Sequence, residues 1–260
     1  MIPVYVLYVV FLQAIVRTHS KCPSSYNEVS PGLCVVRLRT AYSFCEACEM
    51  CAQYGAVRGH LAFILGRNAN RVFPNQSETA FTWLGFNKFL TQPRQPAVEW
   101  RDVDPRTPDF TTNGSEMKFA TREASILPVV VINSVGTMYT CVSNCYGLAI
   151  AVYCEYGGVL PTGSLHQQYR SDFPVPLTEL VSSETGGYGC SKEVKSNSII
   201  DCARKCTLDV ACRSFYYGNH SGRCVHNMYA DSLLATSMAS GELNWKRFAK
   251  VSYPWLRDEL

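Results

Sequence analysis

The chain has 260 residues, an apolar share of 47%, 13 cysteines and a formal net charge of +3. This composition favours a folded, disulfide-rich protein with room for two domains, because intrinsically disordered chains contain too few apolar residues to build cores. The weak and scattered positive charge argues against nucleic acid as a partner.

The N-terminal residues predict a cleaved signal peptide over residues 1–20. Residues 2–16 are apolar except for Gln13, and small or polar residues follow up to Ser20. The alternative, a transmembrane anchor, would need about 20 apolar residues without the early Arg17 and His19. No later segment is long and apolar enough to serve as an anchor. We therefore expect export into an oxidising compartment, where cysteines form disulfides.

The next segment predicts a helix followed by a buried element. Ser43 is a candidate N-cap, Gly55 can end the helix, and the apolar residues on neighbouring turns are Phe44, Ala47, Met50 and Cys51. The apolar "HLAFIL" after it begins either a strand or a second helix. Aromatic-rich "FTWLGFN" and "VEWRDVDP" predict short strands, and "YGLAIAVYCEY" predicts a buried strand that ends at a cysteine. The pattern indicates an α+β fold with long irregular loops.

Residues 22–156 resemble the C-type lectin-like domain in five features that follow in the family's order. These features are the spaced pair Cys22 and Cys34, a helix ending at Cys51 before "GHLA", the "WLG" at Trp83, the "WRDV" turn at Trp100, and the closing "CE" at Cys154. The resemblance implies the disulfides Cys22–Cys34, Cys51–Cys154 and Cys141–Cys145.

The calcium-dependent sugar site of that family is not expected here. Sugar-binding members place oxygen-bearing residues on both sides of a loop proline and a Trp-Asn-Asp triplet before the cysteine that Cys145 resembles. In this chain only "VSN" separates Cys141 from Cys145, and Pro128 lies between Leu127 and Val129. Calcium needs several oxygen ligands, so we assign no metal ligand and no cofactor.

Cys45 and Cys48 are surplus to the lectin-like pattern and form a C-x-x-C on the predicted helix. A redox pair would need a thioredoxin-like βαβ context, and zinc would need four ligands. We expect a local or interdomain disulfide. A lumenal thiol-disulfide oxidoreductase using Cys45 and Cys48 is the enzymatic alternative.

The remaining sequence contains no catalytic constellation. The serine-hydrolase, zinc-protease and phosphate-loop motifs are missing. His60 takes a structural position in "GHLA", and no pattern of carboxylate and nucleophile surrounds His166, His220 or His226. We assign no catalytic residue and expect that the protein is not an enzyme.

Residues 157–186 have no cysteine, are rich in Gly, Pro, Ser and Thr, and predict a linker. Beyond it, Ser198 is the candidate cap of a helix that places Ile200, Ala203 and Cys206 on one face. "CRSFYYG" and "RCVHNMY" predict two paired strands joined by a turn at "GNHSG".

The spacing C-x3-C-x5-C-x2-F and a fourth cysteine resemble the PAN or apple domain over residues 187–249. The resemblance implies the disulfides Cys202–Cys224 and Cys206–Cys212. Cys190 stands at the family's first position but lacks a late partner. It is expected either to bridge to Cys45 or Cys48 or to link two chains into a dimer.

Three sequons, at Asn75, Asn113 and Asn219, fit glycosylated surface loops. The tail, residues 250–260, ends in "RDEL", which resembles the retrieval signal of the endoplasmic reticulum. These features predict a non-catalytic secreted protein for recognition or adhesion, which binds a glycan or an extracellular protein through two folds in tandem. The ligand-binding residues stay unassigned, and a structural assembly role is the other non-enzymatic alternative. The expected location is extracellular, or the lumen of the endoplasmic reticulum if the tail is read.

Overall fold

A computed structural model of the protein describes residues 22–73, 81–91, 99–115, 117–120, 127–182, 189–253 and 255–256. These residues form a mixed fold with many strands and few helices, which confirms the mixed composition expected from the sequence. Within the described ranges, no helix has the length and hydropathy needed to cross a membrane. The expected signal peptide, the Asn75 sequon and the "RDEL" tail lie outside the described residues.

Residues 22–159 are here called the N-terminal unit, and their described part contains two sheets and one long helix. The elements are β1 (Asn27–Ser30), β2 (Leu33–Arg37), α1 (Phe44–Ala56), β3 (His60–Ile64), β4 (Thr82–Asn87), β5 (Trp100–Arg101), β6 (Thr111–Thr112), β7 (Val129–Ile132), β8 (Met138–Cys141) and β9 (Tyr153–Val159). A four-stranded sheet has the order β1-β2-β9-β3, and a five-stranded sheet has the order β6-β5-β4-β7-β8.

Helix α1 begins at the predicted cap. The Ser43 hydroxyl accepts a hydrogen bond from the Glu46 backbone N–H at 3.1 Å, and the Glu46 carboxylate accepts one from the Tyr42 N–H at 2.8 Å. The arrangement resembles a capping box, but the carboxylate reaches the N–H of the residue before the cap and not that of Ser43 itself. At the other end, a side chain on Gly55 would collide with the backbone of β3, so glycine allows the helix to approach the sheet closely.

The apolar segment after α1 is a strand, β3, and not a second helix. The strand that was predicted to end at Cys154 differs from its prediction at both ends. It begins only at Tyr153 and continues past Cys154 to Val159 as β9. Before it, Ile150 and Ala151 make isolated bridges to Ala41 and Thr82. The chain therefore crosses from one sheet to the other in this stretch, and only then enters a regular strand.

Residues 165–256 are here called the C-terminal unit. Its elements are β10 (Leu165–His166), β11 (Tyr169–Arg170), β12 (Ser191–Val194), α2 (Ile199–Leu208), β13 (Cys212–Gly218), β14 (Cys224–Met228), α3 (Thr236–Ala239), β15 (Trp245–Lys250) and β16 (Trp255–Leu256). Helix α2 lies on a five-stranded sheet of order β11-β15-β13-β14-β12, and β10 pairs with β16. The predicted hairpin is confirmed, because β13 and β14 pair antiparallel.

Helix α2 begins at its predicted cap, where the Ser198 hydroxyl accepts the Asp201 N–H at 3.1 Å. The predicted buried face is wrong in one position, because Ile200 is 77% exposed. Cys202 and Cys206 are the buried residues of this helix. Both form disulfides to strands below, and those bonds fix the rotation of the helix about its axis.

The linker expected at residues 157–186 is partly regular structure. Residues up to Val159 complete β9, while β10 and β11 pair with strands from the end of the chain. These strands could not be predicted from the sequence. Each has only two residues, which is too few to show the alternation of apolar and polar side chains that indicates a strand. The chain therefore enters the C-terminal sheet well before the boundary that composition suggests.

Candidate functional site

The two units are joined by the disulfide Cys45–Cys190, with a Cα–Cα distance of 5.5 Å. The other bonds in the described residues are Cys22–Cys34, Cys51–Cys154, Cys141–Cys145, Cys202–Cys224 and Cys206–Cys212, which are the five pairs that the two resemblances imply. The suggested dimer through Cys190 is wrong for this structure, because its sulfur is bonded within the chain. Of the two intramolecular partners considered for Cys190, the structure selects Cys45.

Hydrogen bonds and apolar contacts reinforce this junction. The Arg213 guanidinium donates to the Tyr229 and Val210 carbonyls of its own unit and to the Val103 carbonyl of the other, at 2.9, 3.1 and 3.3 Å. The Leu233 N–H donates to the Phe89 carbonyl at 3.0 Å. Buried apolar side chains of both units form one contiguous cluster. The two units therefore share part of one hydrophobic core at this junction.

A cleft of about 950 Å³ opens between the units beside the Cys45–Cys190 bond. We call it the central cleft. One wall is helix α1, which presents Glu46, Glu49 and Gln53, and the other wall contains Lys192 and Leu208. Its volume and its place between two units match the usual features of ligand sites, which combine apolar walls with a few polar groups.

Tyr229 lines the central cleft in a conformation that is unusual for a residue with a side chain. Its φ angle is +65°, in the left-handed region that favours glycine. The surrounding structure holds it there: its N–H donates to the Ala211 carbonyl at 2.6 Å, and its carbonyl accepts from Arg213. Burial raises the pKa of the phenol, and the nearby Glu49 carboxylate adds to this effect. Backbone strain maintained in this way is typical of functional sites.

Cys48 is a free thiol on the wall of the central cleft and is only 3% exposed. Burial raises its pKa well above the ordinary value. Its C-x-x-C neighbour Cys45 is already bonded to Cys190. Thiol-disulfide exchange needs an accessible thiolate, so the structure does not provide the Cys45–Cys48 redox pair considered from the sequence.

The turn after β5 carries a buried acidic group between the sheets. Asp102 accepts backbone N–H groups of Arg67 and Asp104, and a side chain at Gly66 would collide with its carboxylate. Asp104 accepts hydrogen bonds from the guanidinium groups of Arg67 and Arg106, both at 2.8 Å. Burial raises the pKa of Asp102. Arg67 and Arg106 occupy the carboxylate oxygens that a metal cation would need. We therefore interpret these residues as a structural ion-pair network.

At two other sites, the side chains that could bind a ligand are already bonded within the chain. The Asn144 side chain, in the loop closed by Cys141–Cys145, accepts the Tyr146 N–H at 3.3 Å. Cys202, Cys224 and His226 lie close enough to hold a metal, but both sulfurs share a disulfide and the His226 ring contacts the Cys202 carbonyl at 3.2 Å. The sequon residues Asn113 and Asn219 are both exposed.

Residues 179–243 match the PAN domain family, so a PAN domain is present in the C-terminal unit. The match begins earlier and ends earlier than the expected range of 187–249. PAN domains mediate interactions with proteins or carbohydrates, which fits a role in recognition or adhesion. The N-terminal unit has no family match that would support the lectin-like resemblance. No curated protein sequence matches the chain.

The cysteines beside the cleft were predictable from the sequence, but the cleft residues Tyr229, Arg213 and Lys192 were not. Their roles depend on which surfaces the two units bring together, and local spacing carries no signal of that arrangement. Cys190 offered the one signal, because a cysteine without a family partner in a disulfide-rich chain suggests a distant one.

Proposed function

We propose that the chain is a non-catalytic recognition or adhesion protein of the secretory pathway, which binds a protein or carbohydrate ligand in the central cleft. The observation that carries this proposal is the cleft itself: about 950 Å³, lined from both units, with the strained Tyr229 opposite Glu49. The PAN domain supplies one of its walls. A binding role needs only such a surface.

We further propose that the N-terminal unit has a C-type lectin-like fold without the calcium-dependent sugar site. Supporting observations are that the first and last strands of the unit share a sheet and that Cys51–Cys154 ties the helix to the closing strand. The short loop between Cys141 and Cys145 uses its amide oxygen internally. Recognition in this unit would then rely on the helix α1 wall of the central cleft and not on a calcium-bound loop.

The secretory location is also a proposal, supported by six disulfides among the described residues. The same proposal includes three further steps: cleavage of the signal peptide after residue 20, glycosylation of the three sequons, and recognition of "RDEL" by a retrieval receptor. Expression in animal cells tests it. A signal-cleaved, glycosidase-sensitive product supports export, and deletion of residues 258–260 separates retention from secretion.

Binding is tested by presenting the purified chain to arrays of glycans and of extracellular protein domains. For each ligand found, Lys192→Glu reverses a charge on one wall and Gln53→Trp fills space from the other. Both are expected to weaken binding by about tenfold or more, equivalent to about 1.4 kcal/mol. Matched controls are Lys246→Glu, at an exposed lysine outside the cleft, and Val57→Trp, at a residue that is 78% exposed directly after the same helix. Equal affinity of cleft and control variants, or chemical turnover of the ligand, contradicts the proposal.

A further inference from the structure

One corner of the N-terminal unit exposes three large apolar side chains. Tyr42, Tyr146 and Leu148 are 58%, 74% and 52% exposed. We call these three side chains the apolar tip. Ala41 and Ile150 exchange two backbone hydrogen bonds, of 2.9 and 3.0 Å, and this pairing holds the segment of Tyr42 beside that of Leu148. Exposed apolar side chains that lie together mark a surface for a partner, whereas single ones are ordinary.

The loop that presents the apolar tip is held in an unfavourable backbone conformation. Cys145 and Tyr146 have φ angles of +42° and +57°, two successive residues in the left-handed region that favours glycine. The disulfide Cys141–Cys145 closes the loop, and the Phe44 N–H ties it to helix α1 by donating to the Ser143 carbonyl at 2.8 Å. Because such conformations are costly and cluster at functional sites, the fixed display of an exposed tyrosine indicates a role in contact with a partner.

The sequence around the apolar tip carries very little charge. Residues 124–154 contain no Lys, Arg, Asp or Glu, although 17% of the chain is charged. Part of this stretch is the buried strand β7, but the surface loop 142–149 is uncharged as well. The segment from Arg39 to Glu46 adds one charge of each sign, at those two residues. The apolar tip therefore has no electrostatic preference for an anionic or a cationic partner.

The backbone donors of the loop are already used within the chain. The four N–H groups from Cys145 to Leu148 donate to the Val142, Asn144 and Cys145 carbonyls and to the Asn144 side chain, at 2.8–3.3 Å. In an ordinary surface loop water accepts such bonds, but hydrocarbon cannot, so a segment that enters a bilayer must satisfy its backbone internally. A protein interface instead uses about one hydrogen bond per 100–200 Å². The loop therefore suits lipid better than a protein surface.

We propose that the apolar tip inserts into the surface of a zwitterionic phospholipid bilayer and attaches the protein to it peripherally. The Tyr146 and Leu148 side chains enter the boundary between headgroups and acyl chains, and Tyr42 lies beside them. Tyrosine suits this boundary because its ring is apolar and its hydroxyl is polar. Because only a few side chains insert, the attachment is reversible. The proposal is independent of the ligand of the central cleft.

The test measures cosedimentation of the purified full chain with sucrose-loaded vesicles of phosphatidylcholine. Tyr146→Asn removes the ring with a residue that tolerates the left-handed backbone, and Leu148→Ser removes the second inserted side chain. Each is expected to weaken binding about tenfold, equivalent to about 1.4 kcal/mol. The matched control Leu243→Ser, at a leucine that is 96% exposed in the C-terminal unit, should bind like wild type. Raising sodium chloride from about 0.1 M to about 1 M should not weaken binding, because insertion does not depend on charge.

Absence of cosedimentation, loss of binding at high salt, or equal binding by wild type and both tip variants overturns the proposal. If vesicles are not bound but both variants lose binding to an extracellular protein domain, the apolar tip belongs to a protein interface instead. Tyr146→Trp provides a second readout that does not depend on the folding of the other variants. Its fluorescence is expected to shift to shorter wavelength when vesicles are added, beyond any change in wild type, and an unchanged spectrum contradicts insertion.

Discussion

Both units use a disulfide to fix a helix on a strand, but they close very different lengths of chain. In the N-terminal unit, Cys51–Cys154 joins residues 103 apart, and in the C-terminal unit, Cys202–Cys224 joins residues 22 apart. The C-terminal unit is therefore specified by local spacing, which a family pattern captures. The N-terminal unit depends on contacts between distant segments, whose intervening loops leave little trace in sequence.

The largest expected difference between the units is in what these bonds contribute to stability. Closing a longer loop removes more entropy from the unfolded chain. Removing Cys51–Cys154 with paired alanine substitutions should cost about 4.7 kcal/mol, against about 3.4 kcal/mol for Cys202–Cys224. Denaturant unfolding of the two double variants measures both values. A larger loss for Cys202–Cys224 would break the comparison and indicate that packing around the bond, and not loop length, dominates.

The units also differ in how deeply they bury their ion pairs. Arg247, the partner of Asp231, has a side chain that is 0% exposed, whereas Arg67 and Arg106, the partners of Asp104, are 31% and 36% exposed. An arginine that loses its partner can be hydrated only if water reaches it. Asp231→Asn should therefore cost about 3 kcal/mol and Asp104→Asn less. Thermal unfolding of the two isosteric variants tests the order, and a greater loss for Asp104→Asn would reverse the comparison.

The two units also differ in how burial shifts the pKa values of their charged groups, and therefore in how their stability depends on pH. Burial raises the pKa of Asp102 and Glu155 in the N-terminal unit, whereas burial, aided by Arg213, lowers the pKa of Lys250 in the C-terminal unit to about 7. Between about pH 7 and the ordinary lysine value above 10, only the unfolded chain binds the Lys250 proton. Stability should therefore rise with pH across this window, by about 1.4 kcal/mol per unit.

The groups around Lys250 are Asp209, which raises its pKa, and Arg213, which lowers it. Lys250→Met should flatten the rise in stability and make the protein more stable than wild type near pH 7. Denaturant unfolding between pH 7 and 9.5 measures the slope. A variant with the wild-type slope would assign the pH dependence to other groups.

Much of each unit could be anticipated from local patterns. Ser43 and Ser198 were recognisable as caps because a hydroxyl there satisfies a free N–H of the first turn. The exposure of Ile200 could not be predicted, because the spacing of apolar residues does not show which face of the helix the disulfides hold against the sheet. The cleft residue Tyr229 was also missed, since its strained backbone is imposed by Ala211 and Arg213 across the sheet.

The central claim, that the two units form one ligand cleft closed beside Cys45–Cys190, is tested most directly by disulfide mapping of the native protein. Free thiols are alkylated after denaturation without reduction, and the chain is then cleaved after glutamate. Glu46 and Glu49 separate Cys45, Cys48 and Cys51 into different peptides, so each can be assigned alone. We expect the Cys45 peptide to be linked to that of Cys190 and Cys48 to be alkylated. A link from Cys48 to Cys190, or a disulfide between two chains at Cys190, would contradict it.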